Sequence, residues 1–334
     1  MQHWFVLLLK LAIMALILVF FIRQFDIRSM LHILATISPY AICAAVMAVL
    51  AQSLAAAGRI VMIVSRFGPR FKLGDSYRLT LESMFFNQTF VSFLGGDALR
   101  IWRIRRLGLP LPQATSAVIL DRLIGTVVNH TFLLATLPWF LTSEVTSSIK
   151  IILVLLAIAG LTALALFLLL GSKSQVGVLN LLPVWIRASL VTRIIVETST
   201  TGRDLLARRV LGVFVLSALI SAINIVTFAV ILTGIGVNLT LAAACGLVVP
   251  AILEIAMLPI SLAGWGVREA AAVMAFGAIG LPADQALAAS IAFGLIIASV
   301  SMLGAVLWLV DRREMTQISR ELRVESNISL SARR

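Results

Sequence analysis

Arginines and carboxylates occur together in one otherwise apolar part of the chain, residues 87–122. Two acid–base couples stand out there, Asp97 with Arg100 and Asp121 with Arg122. Charge placed at or near hydrocarbon is costly unless it is paired or faces a watery cavity, so these side chains indicate a functional site. Because a guanidinium can bind two phosphate oxygens at once, the chemistry that this pattern favours is binding of an anionic phosphate group.

A glycine pair directly precedes the first couple. Gly95 and Gly96 predict a turn, after which Asp97 would cap a helix that runs through Arg106. The unpaired N–H groups at such a helix start attract phosphate. Upstream, a helix over 76–92 would carry one polar stripe, which consists of Ser76, Thr80, Ser83 and Asn87.

A second segment, residues 250–269, repeats this order of polar helix face, glycine turn and charged helix start. Its candidate ligand-binding residues are Glu254, Ser261, Gly264, Gly266, Arg268 and Glu269. We expect Arg100, Arg122 and Arg268 to hold the phosphate, while the neighbouring carboxylates balance the arginines in an empty cavity. On the third apolar segment, Gly125, Thr126, Asn129 and His130 lie with Asp121 and Arg122 on one broad face, and the fifth adds the polar side chains of Ser217, Ser221 and Asn224.

Composition assigns the chain to the integral membrane proteins. Of 334 residues, 60% are hydrophobic and 13% charged, and the mean hydropathy is +1.06, whereas soluble domains have roughly a quarter of their residues charged. Cys43 and Cys245 lie in apolar runs and predict packing residues, not a disulfide or a metal site. The net charge of +12 is typical of cytoplasmic loops near anionic lipid, and nucleic acid is not an expected partner because no soluble domain would carry it.

Six apolar windows are long enough, at about 20 residues each, to cross a bilayer. They lie near 4–22, 38–65, 114–141, 150–171, 210–233 and 285–310. The basic residues between them place both termini and the segments 66–78, 100–112 and 172–209 in the cytoplasm. We therefore expect a multi-pass protein of the cell (inner) membrane, with a membrane domain over 1–313 and a solvated tail over 314–334.

Two segments do not fit into these crossings. Residues 79–99 begin and end beside cytoplasmic basic clusters, and residues 241–284 begin and end on the opposite face. Each is interpreted as a re-entrant helical hairpin, which can exist at membrane depth where protein or a water-filled cavity satisfies the broken backbone. The predicted fold is all-α, with about six full spans and two opposed hairpins in the manner of an inverted repeat.

Two sequence blocks carry a family resemblance. The first reads NQTFVSFLGGDALR at 87–100 and DRLIG at 121–125, and the second reads PISLAGWGVRE at 259–269. Over nearly the whole chain, they resemble the lysylphosphatidylglycerol synthase transmembrane family, also called flippase-like domain proteins. The resemblance implies a membrane domain with two re-entrant elements that translocates lipids between leaflets. Where the family often has proline and more glycine, this chain has SFL at 92–94, which implies a less bent turn.

The expected function is that of a flippase or transporter for an anionic phospholipid or a polyprenyl-phosphate lipid, not an enzyme, with no cofactor or metal. Since few residues follow Val310, the aminoacyl-transferase domain of bifunctional family members is expected to be missing. Two alternatives stay open: a membrane-embedded lipid-modifying enzyme that uses the carboxylates as acid or base, and a non-catalytic scaffold for an envelope-lipid pathway. A homo-oligomer is also left open.

The charged couples have a simpler interpretation as well. In this interpretation Asp97 with Arg100, Asp121, and Arg268 with Glu269 only pair with one another and so lock the hairpins. The cluster of Arg103, Arg105 and Arg106 is interpreted as a set of cytoplasmic head-group anchors at the surface.

Overall fold

The computed structural model describes residues 32–68, 70–89, 94–142, 147–170, 189–208, 210–257 and 265–310. Within these ranges the secondary structure is helical, without strands, which confirms the predicted all-α fold. The predicted first span, 4–22, and the tail, 314–334, lie outside the described residues. The main helices are, in chain order, α1 (Pro39–Val64), α2 (Leu73–Thr89), α3 (Leu94–Arg105), α4 (Leu111–Thr142), α5 (Ser147–Leu170), α6 (Leu190–Arg208), α7 (Val210–Gly234), α8 (Leu239–Ala243), α9 (Cys245–Ala256), α10 (Val267–Gly277) and α11 (Ala283–Val310).

Four helices in the described part are long and apolar enough to cross a membrane: α1, α4, α7 and α11. They correspond to four of the six predicted spans, and α5 covers the predicted span 150–171. The largest apolar core lies between α7, α9, α10 and α11, where the rings of Phe228 and Phe293 stack with centroids 4.4 Å apart and Phe276 packs beside them. This core holds together the helices that surround the cavity described below.

Helices α2 and α3 form the first hairpin. At 17 and 12 residues, they extend roughly 26 and 18 Å at 1.5 Å per residue, less than the roughly 30 Å of a hydrocarbon core. The N–H of Gly96 donates to Asn87 Oδ1 at 3.0 Å, which ties the two helices together. A Cβ on Gly96 would lie 2.6 Å from that oxygen and closer still to the carbonyl of Ser83, so the close approach requires glycine.

The predicted polar stripe on α2 serves packing. Ser76 donates across to the carbonyl of Ala57 on α1 at 2.8 Å, and Thr80 and Ser83 donate to carbonyls one turn earlier on α2 itself. All three hydroxyl side chains are buried. The stripe therefore joins α2 to α1 and satisfies its own hydroxyls, and of its four members only Asn87 reaches the turn of the hairpin.

Helices α9 and α10 form the second hairpin, with 12 and 11 residues. Gly266 precedes α10 with a φ of 84°, a left-handed conformation that favours glycine. Its N–H donates to the carboxylate of Glu269 at 2.5 Å, so Glu269, in the first turn of α10, caps the N-terminus of that helix. The predicted site residues Ser261 and Gly264 lie outside the described residues.

The two hairpins start from opposite ends of the helix bundle. The N–H of Ser38, which precedes α1, donates to the carbonyl of Gly234 at the end of α7, and α8 and α9 follow from that end. At the other end of the bundle, Arg78 on α2 donates to the carbonyl of Leu307 near the end of α11 at 2.8 Å. Helix α2 follows the C-terminal end of α1. Helices α8 and α9 follow the C-terminal end of α7, which lies beside the N-terminal end of α1. The hairpins therefore run into the bundle from opposite directions.

Candidate functional site

A cavity of about 270 Å³ lies between α1, α4, α7, α9, α10 and α11. Three arginines from three different helices line it: Arg59 on α1, Arg122 on α4 and Arg268 on α10. Uncharged polar side chains also contribute to its wall, and these are Asn129, Ser217, Ser221 and Asn224. The cavity therefore offers guanidinium groups together with hydroxyl and amide groups, which suits an anionic ligand that also carries hydroxyls.

Asp121 on α4 holds two of the surrounding arginines. Its Oδ1 accepts from Arg59 Nε at 2.7 Å and its Oδ2 accepts from Arg100 Nη1 at 3.1 Å. The carboxylate is 2% exposed. Arg59 also donates to Ser217 on α7 at 2.9 Å, and Gly125, one turn along α4, leaves room for its guanidinium, since a Cβ there would lie 3.1 Å from Nη1. One carboxylate thus serves two cations.

The guanidinium of Arg122 makes a two-point ion pair with Asp97 on α3. Nη2 lies 2.9 Å from Oδ1 and Nε lies 3.1 Å from Oδ2. The side chain of Arg122 is 45% exposed, in contrast to the buried Arg100 and Arg268. Arg122 is therefore the arginine of the cavity wall that is best placed to exchange its present partner for a ligand.

These pairings correct the predicted couples. Asp97 pairs with Arg122 and Asp121 pairs with Arg100, so the partners are exchanged between α3 and α4. Asp121 and Arg122 cannot share a direction because consecutive residues on a helix point about 100° apart. Arg100 consequently lies behind Asp121 and not on the described cavity wall.

The arginine that sequence analysis did not identify is Arg59. It lies six residues from Ser65, inside the apolar run predicted as the second span, and only 8% of it is exposed. The signal that could have found it is a guanidinium more than one turn inside an apolar helix, which needs a partner at that depth. We use the term arginine cluster below for Arg59, Arg100, Arg122 and Arg268.

Arg268 is held in the first turn of α10. It donates through Nε and Nη2 to Glu269, which is the couple expected from the sequence. Nε also lies 3.2 Å from Ser290 Oγ. The guanidinium carbon is 4.9 Å from the ring centroid of Trp265 and 5.7 Å from that of Phe293, which adds cation–π attraction. Arg268 therefore reaches the cavity from a fixed position.

Taken together, the four arginines of the arginine cluster are matched by three carboxylates, Asp97, Asp121 and Glu269. One positive charge in this part of the molecule is therefore not neutralised by the carboxylates bonded to the cluster. In surroundings of low polarity such a charge attracts an anion strongly.

Glu254 on α9 belongs to a neighbouring cluster. Its Oε2 accepts from Asn129 Nδ2 at 2.6 Å, and its Oε1 lies 3.0 Å from His130 Nδ1. The other ring nitrogen of His130 lies 3.1 Å from the carbonyl of Ala157 on α5. Glu254 was predicted to face the ligand, but it does not belong to the described cavity wall, where Asn129 stands in its place.

The glycine pair does not form the predicted turn. Helix α3 already begins at Leu94 among the described residues, so Gly95, Gly96 and Asp97 lie inside its first turn. The N–H of Gly96 is occupied by Asn87. The helix start that was predicted to bind phosphate therefore uses one of its N–H groups, that of Gly96, to close the hairpin.

Arg103 also departs from its predicted role. It was interpreted as a surface anchor, but Nη2 lies 3.0 Å from the carboxylate of Glu82, which is fully buried and also accepts from Arg78 at 2.9 Å. These two arginines, with Arg106 and Asp75, line a separate cavity of about 390 Å³ at the α2 and α3 ends. Arg103 thus joins α3 to α2.

Comparison with known proteins gives one match. The family model described as the lysylphosphatidylglycerol synthase TM region matches residues 7–305, while no curated protein matches the chain. The match covers both hairpins, the arginine cluster, α1, α4, α7 and most of α11, and the family points to a function connected with membrane lipids. The chain therefore belongs to the family of the lysylphosphatidylglycerol synthase transmembrane region.

Proposed function

We propose that this protein moves an anionic lipid head group between the leaflets of the membrane through the arginine-lined cavity. The observation that carries the proposal is the convergence of Arg59, Arg122 and Arg268 on one cavity, in a cluster with one more cation than its bonded carboxylates. A phosphodiester would supply the missing negative charge and accept from the guanidinium groups.

Each arginine has a distinct part in this proposal. Arg122 is half-exposed and exchanges Asp97 for a phosphate oxygen, whereas Arg59 and Arg268 attract the ligand from fixed positions. Ser221 and Asn224 on α7 are available for hydroxyls of the head group. The cavity, at about 270 Å³, admits a polar head group while the acyl chains stay in lipid.

The carboxylates near the cavity are engaged in ion pairs and hydrogen bonds, which favours transport of a lipid over its chemical conversion. Among the described residues near the cavity, Asp97, Asp121 and Glu269 each bind arginine, and Glu254 is covered by Asn129 and His130. A general base needs a carboxylate within reach of the proton it abstracts. These four are engaged in holding cations and helices, so we assign no catalytic role to them.

The proposal is tested with the substitution Arg122→Gln in protein reconstituted into liposomes. Fluorescent phosphatidylglycerol is placed in both leaflets, and a membrane-impermeant quencher reports how fast the inner pool reaches the outer face. Loss of a hydrogen bond to a charged group costs about 1.5–3 kcal/mol, so we expect roughly a tenfold or greater loss of transport. Arg70→Gln is the matched control, because Arg70 is exposed and lies outside the cavity wall.

Two results would contradict the proposal. One is wild-type protein that leaves the labelled lipid in its original leaflet. The other is mass-spectrometric detection of a chemically changed lipid without any movement between leaflets, which would favour the enzyme alternative.

A further inference from the structure

We propose that His130 and Glu254 form a proton-binding site whose occupancy is coupled to anion binding in the cavity. The proton site itself follows from the local geometry and does not depend on lipid transport. The coupling rests on the proposed function, because it concerns the anionic head group that the arginine cluster would hold.

The hydrogen bonds of His130 fix the position of one ring proton. Nε2 lies 3.1 Å from the carbonyl oxygen of Ala157, which can only accept, so Nε2 carries a hydrogen and donates. Gly160 on the same helix leaves room for the ring, since a Cβ there would overlap it. The ring is thereby held in one orientation between α5 and α9.

A second proton must lie between the two side chains. Nδ1 of His130 is 3.0 Å from Oε1 of Glu254, while Oε2 of the same carboxyl accepts from Asn129 at 2.6 Å. The contact is a hydrogen bond if the proton is on Nδ1, giving imidazolium with carboxylate, or on Oε1, giving neutral imidazole with carboxylic acid. In either form the pair holds one shared proton and has no net charge.

Loss of that proton leaves one hydrogen on the imidazole, so either Nδ1 and Oε1 of Glu254 or Nε2 and the carbonyl oxygen of Ala157 face each other without a hydrogen between them. Both side chains are less than a tenth exposed, so little water is available to solvate them. The contact of His130 either with α9 or with α5 would then have to open. Since Asn129 on α4 and Leu253 on α9 also line the cavity, the protonation state is tied to the walls of the proposed lipid site.

Other charged groups on the helices packed around the pair are mostly committed to partners. Helix α7 has no titratable side chain in its described range. Lys150 on α5 binds the carbonyl of Leu141, far along α4 from His130. Asp121 and Arg122 on α4, and Arg268 and Glu269 on α10, are engaged in the ion pairs given above. The charged groups of α6 with described side chains are Arg193 and Glu197.

Charge balance supplies the coupling. The arginine cluster and its bonded carboxylates leave one positive charge, and the protonated pair adds none. When the proton leaves, the pair becomes negative and cancels the charge that attracts the head group. Binding of proton and anion therefore favour each other, and linkage requires the effect to be reciprocal.

The variant that tests the site is Glu254→Gln. The amide that E254Q introduces can donate to His130 Nδ1 and accept from Asn129, so the three hydrogen bonds are kept while the shared proton is lost. Infrared difference spectra of protein in detergent micelles without added phospholipid, recorded between about pH 5 and pH 8, should contain a carboxyl signal in wild-type protein that E254Q removes. Glu197→Gln, the matched control on α6, should retain the signal.

The coupling is tested with the liposome assay. Wild-type transport of phosphatidylglycerol should change by about fivefold or more over this pH range, being faster at low pH, while transport by E254Q should be independent of pH. The inference is overturned if E254Q leaves the infrared signal in place, or if it keeps the pH dependence of the wild type. A wild-type infrared signal without lipid movement would support the proton site and contradict the proposed function.

Discussion

Asp121 organises two arginines that come from different helices. It accepts from Arg59 on α1 and from Arg100 on α3, and almost none of it is exposed. Burial of either guanidinium without such a partner would be unfavourable, because an unpaired buried charge costs several kcal/mol. The triad explains why an acid is required in the middle of an otherwise apolar part of α4.

Replacement of Asp121 should therefore destabilise the protein strongly. Asp121→Asn leaves two buried guanidinium groups without a carboxylate, and removal of one partner from a buried pair costs about 3–5 kcal/mol. The measurement is the free energy of unfolding in detergent, followed by denaturant and circular dichroism.

Asp97→Asn is the matched comparison, because it removes the same charge from a pair whose arginine is 45% exposed. An exposed pair contributes about 1 kcal/mol or less, so this variant should unfold nearly as the wild type does. Equal losses for the two variants would mean that burial of the Asp121 triad does not govern its contribution.

At the scale of the elements, α2 is held on two sides by contacts that only glycine permits. Gly96 on α3 approaches the carbonyl of Ser83, and Gly304 on α11 approaches the backbone of Leu81. Small residues let helix backbones approach closely in membranes, where lipid tails are as apolar as the side chains and packing drives association. The position of the first hairpin therefore depends on these two glycines.

Gly96→Ala should push α3 away from α2. The added methyl would overlap the Ser83 carbonyl and lie 2.6 Å from Asn87 Oδ1, and overpacking of this kind costs typically about 1–3 kcal/mol. We expect a lower midpoint of thermal unfolding and, since Arg100 and Asp97 lie on α3, slower lipid transport.

The control for this variant is Gly74→Ala in the first turn of α2, where nothing lies within 4 Å of the added carbon. Alanine is the better helix former there, so the midpoint should stay or rise. A Gly96→Ala protein as stable as this control would show that the hairpin can separate without cost.

At the scale of the whole molecule, two short hairpins enter the bundle from opposite ends, and each contributes to the cavity region. The second provides Arg268 directly, while the first provides Asp97, which holds Arg122, and Arg100, which shares Asp121. Irregular backbone of this kind is found at membrane depth where it lines a cavity. Each end of the bundle thus contributes one hairpin to the surroundings of the same arginine cluster.

This architecture predicts opposite accessibility for the two hairpin bases. Lys72, before α2, and Thr240, before α9, are both exposed, and positive-inside reasoning puts Lys72 in the cytoplasm. In a Cys43→Ser background, which removes the exposed native thiol, an impermeant maleimide added to intact cells should label T240C. It should label K72C only after the membrane is permeabilised. Labelling of both from one side would contradict the opposed arrangement.

The sequence alone determined the class of protein and, within the described residues, the position of its long apolar helices. Apolar length and basic loops predicted the spans, and the glycines and charges near 95 and 266 predicted the two hairpins, because these depend on local composition and spacing. Helix periodicity also identified Asp121, Asn129 and His130 as members of one face of α4.

The partners of these residues were decided only by the tertiary structure. Asp121 meets Arg59, 62 positions away, and His130 meets Glu254, 124 positions away. Periodicity determines which face of a helix is polar, but not which face of a distant helix will lie against it. For that reason the predicted couples differ from the observed ion pairs, and Arg59 was not identified. The contact of His130 with Glu254 likewise depends on the packing of α4, α5 and α9, which the sequence does not determine.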